Sequence, residues 1–147
     1  MSVDVSAMGL KVLVQATPSF PVGIEITHFS DDGDSLNIGD ITTMETAMGV
    51  NGDLVVWRVA TPCEIELNVI PGTQECEDLE TLFNLNMTQK NRVSSKDIIS
   101  MVITHPDGKQ NLLTNGYIIG GKPVQDYSAS GRANSRTFRF VFENNIA

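Results

Sequence analysis

The chain reads as mainly β, a β-sandwich or barrel with one flanking α-helix, and three observations predict it. Residues 63–69 and 137–142 alternate apolar and polar side chains at a period of two. Turn signals, Asn51-Gly52 and Pro106-Asp107-Gly108 among them, punctuate the apolar runs. Helical spacing of apolar residues occurs once, after Thr73.

The first strand signal is Ile24-Glu25-Ile26-Thr27-His28-Phe29, a half-buried alternation. Residues 30–40 are polar and rich in Ser, Gly, Asn and Asp, and read as a long loop. A hairpin follows, with Met48-Gly49-Val50 and Leu54-Val55-Val56-Trp57 flanking Asn51-Gly52-Asp53. Asn-Gly suits a type I′ turn because both central residues need positive φ. In the next strand Cys63, Ile65, Leu67 and Val69 share one face, while Glu64, Glu66 and Asn68 form a wet one.

Pro71-Gly72 breaks that strand, and Thr73 is placed to cap a helix with Glu75 and further acids in its first turn. Cys76, Leu79, Leu82, Phe83 and Met87 then make a stripe that covers a sheet. His105-Pro106-Asp107-Gly108-Lys109 separates strands at 98–104 and 111–114. A further strand at 115–119 closes on Gly120-Gly121. Residues 125–136 read as a second long polar loop, and loops of that length usually have a use. Phe138, Phe140 and Phe142 point one way from the last strand, into the core. No repeat or linker interrupts this order, so residues 1–147 form one domain.

A chain of 147 residues with 41% hydrophobic content can bury a core without staples. No apolar run is long enough for a spanning helix, and the first ten residues lack a signal-peptide pattern, so a cytoplasmic product is expected. Cys63 and Cys76 match no zinc or redox spacing and are expected to be buried thiols. The net charge of −8 is split: residues 1–89 carry two basic against fourteen acidic side chains, −12, and residues 90–147 eight against four, +4. Scattered Lys and Arg with few aromatics argue against a nucleic-acid groove, whereas opposed charge suits copies meeting head to tail.

Catalytic signatures are missing. His28 and His105 have no nucleophile pattern beside them, and no GxSxG, HExxH, P-loop or dinucleotide fingerprint is present. Asp31, Asp32 and Asp34 offer carboxylates for Ca²⁺, yet Gly33 is misplaced for an EF-hand and no Glu closes the loop, so an exposed acidic turn is expected. Glu75, Glu77, Asp78 and Glu80 sit where a helix dipole favours acids. The expected role is structural or binding, without catalysis, metal or cofactor.

The order of elements is informative. Gly23-Ile24-Glu25-Ile26, an acidic loop, a hairpin carrying Gly49-Val50-Asn51-Gly52-Asp53, the 63–69 strand, Pro71-Gly72, a helix ending Leu82-Phe83-Asn84, and the aromatic 137–142 strand follow one another. This layout, over residues 11–146 and most specifically 49–84, resembles the tail tube proteins of contractile-tailed bacteriophages. The resemblance implies a virion protein, assembled in the host cytoplasm, that forms stacked hexameric rings around a lumen through which DNA passes. Sheath, baseplate or terminator proteins would be its partners, with no membrane involved. Glu64, Glu66 and Asn68 become candidates to line the lumen, where acidic groups would repel phosphates. Asp31, Asp32, Asp34, Asn51, Asp53, Arg132 and Arg136 become candidate inter-ring or inter-subunit loop residues. A specialised ring connecting the tube to the baseplate or terminating it, a needle tube of a type VI secretion system, a stand-alone β-sandwich binding module, and a metal-dependent hydrolase on Asp31, Asp32 and Asp34 are the alternatives.

Overall fold

The computed structural model describes residues 3, 5–31, 33–93 and 96–143. In chain order the elements are β1 Lys11–Thr17, β2 Phe20–Ile26, β3 Leu36–Ile38, β4 Met44–Met48, β5 Leu54–Arg58, β6 Cys63–Val69, α1 Gln74–Asn86, β7 Ile98–Thr104, β8 Gln110–Gly121 and β9 Arg136–Phe142. Seven of the strands make one antiparallel sheet in the order β2-β1-β7-β8-β9-β6-β3, and β4 and β5 make a separate two-stranded sheet.

Period-two patterning builds the core. Val12, Val14 and Ala16 of β1, Cys63, Ile65, Leu67 and Val69 of β6, and Phe138, Phe140 and Phe142 of β9 are all buried. Helix α1 adds Cys76, Leu79 and Leu82 to the same cluster. Because α1 packs on β2, β8 and β9, strands far apart in the sheet, the sheet must curl around it. The curl nearly closes. Past β2, Phe29 bridges Val69 of β6, so the chain leaving one edge strand reaches the other side of the sheet.

The helix begins as expected. Thr73 caps it and its hydroxyl accepts from the Cys76 N–H at 3.3 Å. Its last turn carries no basic residue, and Arg92 supplies the cation instead, donating to the carbonyls of Asn84 and Met87.

Several elements differ from the sequence reading. β1 is an addition to the sequence reading, and it alternates as well as β6. The strand read through Phe29 ends at Ile26, where the chain crosses between sheet edges. Residues 36–38 of the first polar loop pair with β6 as β3. The two strands expected at 111–114 and 115–119 are one, β8; Asn115 at φ 52 absorbs a kink that lets the strand change ladders from β7 to β9.

The hairpin turn is not type I′. Gly52 N–H donates to Gly49 O at 2.9 Å, Gly49 N–H to Asp53 O at 2.7 Å, and only Gly52 of that loop has positive φ. That is a turn closed by a glycine bulge. The same pair of bonds recurs at His105–Gly108–Lys109 and Ser128–Gly131–Arg132. The second polar loop is therefore partly a small hairpin, with Tyr127 bridging Ala133.

Candidate assembly surface

An apolar run such as Leu54-Val55-Val56-Trp57 normally enters a core. Here the β4–β5 hairpin stands off the body, and all ten strand residues are exposed. Its ladder runs on past the strands: Val59 N–H donates to Thr43 O at 3.2 Å, and the Thr61 hydroxyl to Thr42 O at 3.1 Å. Gly39 N–H to Glu64 O at 2.9 Å anchors its near end to β6.

Register sorts the hairpin's side chains. Met44 faces Arg58, Thr46 faces Val56 and Met48 faces Leu54 on one side; Glu45 faces Trp57 and Ala47 faces Val55 on the other. Both faces are thus largely apolar. Leu54 is 63% exposed, Met48 70%, and Trp57, the sole tryptophan, 44%. A free two-stranded hairpin is marginally stable in water, and an exposed apolar patch of this kind marks an interaction surface.

Asn51 and Asp53 lie at the exposed tip of this hairpin. Two other loop candidates meet: Arg132 forms a two-pronged ion pair with Asp31 (3.1 and 3.2 Å), and Ser30 donates to Ser135 at 3.0 Å. The two long loops are therefore tied together at one end of the barrel. Asp34 sits beside them, its carbonyl accepting from Asn68 at 2.6 Å. Asp32 falls outside the described residues.

Arg136 requires a correction. It is not a loop residue but the first residue of β9, only 2% exposed. Its guanidinium lies over the Phe138 ring at 5.5 Å, pairs with Glu80 at 3.3 Å and donates to Lys122 O at 2.8 Å. A buried charge needs such partners, and they hold it inside the fold between α1 and β9. Its period-two offset from Phe138 and Phe140 was the signal that placed it on the core face.

Glu64, Glu66 and Asn68 do share the outward face of β6, opposite its buried residues. Glu66 faces Arg139 of β9 at 3.7 Å, and Asn68 accepts from the Thr137 hydroxyl, so of the two acids Glu64 is the one without a salt bridge among the described residues. With Asn37, Gly39, Ile119 and Arg139, the two acids border a shallow groove of about 280 Å³.

Among the described residues no three His, Cys, Asp or Glu side chains gather to hold a metal. His105 Nε2 bonds Asn111 at 2.7 Å, and His28 engages Glu75. Cys63 and Cys76 are buried and unbridged, as expected, and burial pushes both thiols up. No described helix is long and apolar enough to cross a membrane.

A family model described as tail fiber protein gp32 matches residues 3–146. No curated protein matches the chain. Solved structures share the fold: a chain of the sheath–tube complex of an extracellular contractile injection system (PVC, extended state) is 15% identical, with 99% of this chain and 93% of that one covered and a TM-score of 0.53. A chain of the anti-feeding prophage baseplate is 12% identical over 100% and 97%, TM-score 0.54. A chain of that prophage's tube terminating cap is 14% identical over 100% and 94%, TM-score 0.50. At these identities the likeness is one of fold, and the fold is the tail-tube-like one the sequence predicts.

Proposed function

From the premise that the chain belongs to the tail fiber protein gp32 family, we propose that it is a structural component of a contractile tail, a subunit that closes into rings, six to a ring, around a lumen for DNA. The observation that carries this is the β4–β5 hairpin, largely apolar on both faces, exposed along both strands, and forming a sheet apart from the other seven strands among the described residues. Such an arm is completed by a second copy. A patch on one subunit fitting a different patch on the next makes a head-to-tail contact, which closes into a ring when the rotation permits.

In this reading Glu64, Glu66 and Asn68 line the lumen, and the Asp31–Arg132 loop cluster, Asp34, Asn51 and Asp53 meet the neighbouring ring or subunit. Glu64 keeps DNA phosphates from adhering. The protein belongs to the tail of the virion, is assembled in the host cytoplasm, and meets sheath and baseplate or terminator proteins. Its work is structural, with no catalysis and no cofactor.

A ring at the tube's end, joining it to the baseplate or terminating it, is the second reading, favoured by a fold shared with baseplate and cap chains as much as with the sheath–tube chain. Negative-stain electron microscopy over a range of concentrations tests both. Long tubes support the main tube subunit and isolated rings the end ring. Monomers at high concentration overturn self-assembly and leave a stand-alone binding module.

A further inference from the structure

The ladder of β2 stops at Ile26, yet the chain must still carry two backbone N–H groups across to β6. Thr27 and His28 N–H both donate to Glu75 Oε2 at 3.0 Å. The Thr27 hydroxyl donates to Oε1 at 3.0 Å, and His28 Nδ1 lies 3.0 Å from the same oxygen, bonding it whenever Nδ1 carries a hydrogen. One carboxylate, on the second residue of α1, thus takes four contacts from two consecutive residues. Its place in the helix's first turn favours the ionised form.

Beyond this point no strand ladder longer than three residues holds the chain before the hairpin; Phe29 and Leu36 pack only partly on the core, and the Asp31–Arg132 pair ties loop to loop. Ser30 N–H donates to Asn68 O at 2.9 Å, Ile70 N–H to His28 O at 3.1 Å, β3 pairs over three residues, and then the exposed hairpin begins. Segments with few buried contacts open locally before the core does.

We infer that Glu75 is a latch: its carboxylate fastens the crossover at residues 27–30 to the helix, and losing it lets the crossover and β3 open as a unit while the rest of the sheet stays closed. The inference concerns the single chain and stands apart from ring formation.

Burial pushes the Glu75 carboxyl up, but the hydrogen bonds from His28 and Thr27 together outweigh it and leave the group below its ordinary value of 4.5. A lowered carboxyl contributes stability above the unfolded value and loses it as pH falls through the folded one. The other titratable groups on elements packed against α1 are Glu25 on β2, Tyr117 on β8, and Arg136 and Arg139 on β9. Arg136 is held by Glu80 and Arg139 by Glu66. Cys76, Glu77 and Asp78 share the helix with Glu75. His28 is the ionisable side chain that bonds the latch.

Amide hydrogen exchange read by NMR on the full chain, at concentrations where it is monomeric, tests the latch. Glu75→Gln should lower protection at residues 27–30 and 36–38 on the order of tenfold at neutral pH, since it replaces a charged acceptor of the Thr27 and His28 amides with a neutral one. Protection in β1, β7, β8 and β9 should be unchanged. In the unaltered chain, protection factors at 27–30 should step down as pH falls below the ordinary carboxylate range, and Glu75→Gln should abolish that step. Unchanged protection at 27–30, an equal loss across the whole sheet, or an acid step that survives Glu75→Gln overturns the latch. If Glu75→Gln does not fold, Thr27→Val, which deletes one of the four contacts, takes its place with a smaller drop confined to the same amides; an unchanged or sheet-wide response to it counts against the latch equally.

Discussion

Trp57 makes the assembly reading quantitative. It lies on the hairpin face with Val55 and Ala47 and keeps 44% of its surface exposed. For a side chain of about 250 Å², that is roughly 110 Å² still available, worth about 2.7 kcal/mol if a neighbour covers it at about 25 cal/mol per Å². Trp57→Thr keeps strand propensity while removing that surface. It should raise the midpoint concentration for association about 100-fold. Sedimentation velocity across a dilution series reads the midpoint, and far-UV circular dichroism confirms that the fold survives. As the sole tryptophan, Trp57 also reports on the unaltered chain: its emission should shift to the blue over the concentration range in which rings form. A midpoint moving less than about threefold, or emission indifferent to assembly, refutes the reasoning that this hairpin is the contact.

The other predictions concern the barrel. Phe140 is fully buried, pairs with Ile65 and Ile118, and stacks with Phe142 at 6.4 Å, so Phe140→Ala should cost about 3–5 kcal/mol. At a urea slope of about 2 kcal/mol per M, the unfolding midpoint should drop by about 2 M, and a drop below about 0.5 M places the ring outside the core. A Cβ on Gly116 would run into the Phe142 ring, so Gly116→Ala should cost about 1–3 kcal/mol in the same titration, and a silent change shows that β8 has room to shift. Glu64→Lys with Glu66→Lys should cost less than about 1 kcal/mol, because Glu64 is exposed and the Glu66–Arg139 pair is open to solvent on its Arg139 side. If the face lines a lumen, rings of this variant should retain DNA on a filter where unaltered rings do not; equal retention removes these residues from the lumen.

Much of this was legible locally. Period-two alternation placed β6 and β9 within a residue, because a face buried against a core tolerates no slip, and the Pro-Asp-Gly turn placed the end of β7. Thr73 and the acids after it marked the helix start through backbone chemistry confined to one turn. Glu64, Glu66 and Asn68 were assigned to the outer face by the same alternation. β3 is not legible locally because three residues in a polar stretch carry no period, and Arg136 reads as a loop residue because a charge next to a Ser-Asn run reads as surface.

The sequence by itself determined which side chains are apolar at which spacing, and hence a mainly β barrel with one capped helix. Tertiary structure alone decided where that apolar surface goes. Leu54-Val55-Val56-Trp57 has the composition of a core strand, yet the core of this barrel is filled by the three phenylalanines of β9 and the stripe of α1. Packing space is a property of the whole fold, so the hairpin is left outside with both strands exposed. Likewise the pairings of Asp31 with Arg132 and of Glu75 with Thr27 and His28 join residues 101 and 47–48 positions apart. Contacts at such separations depend on how the sheet curls, which no local pattern encodes.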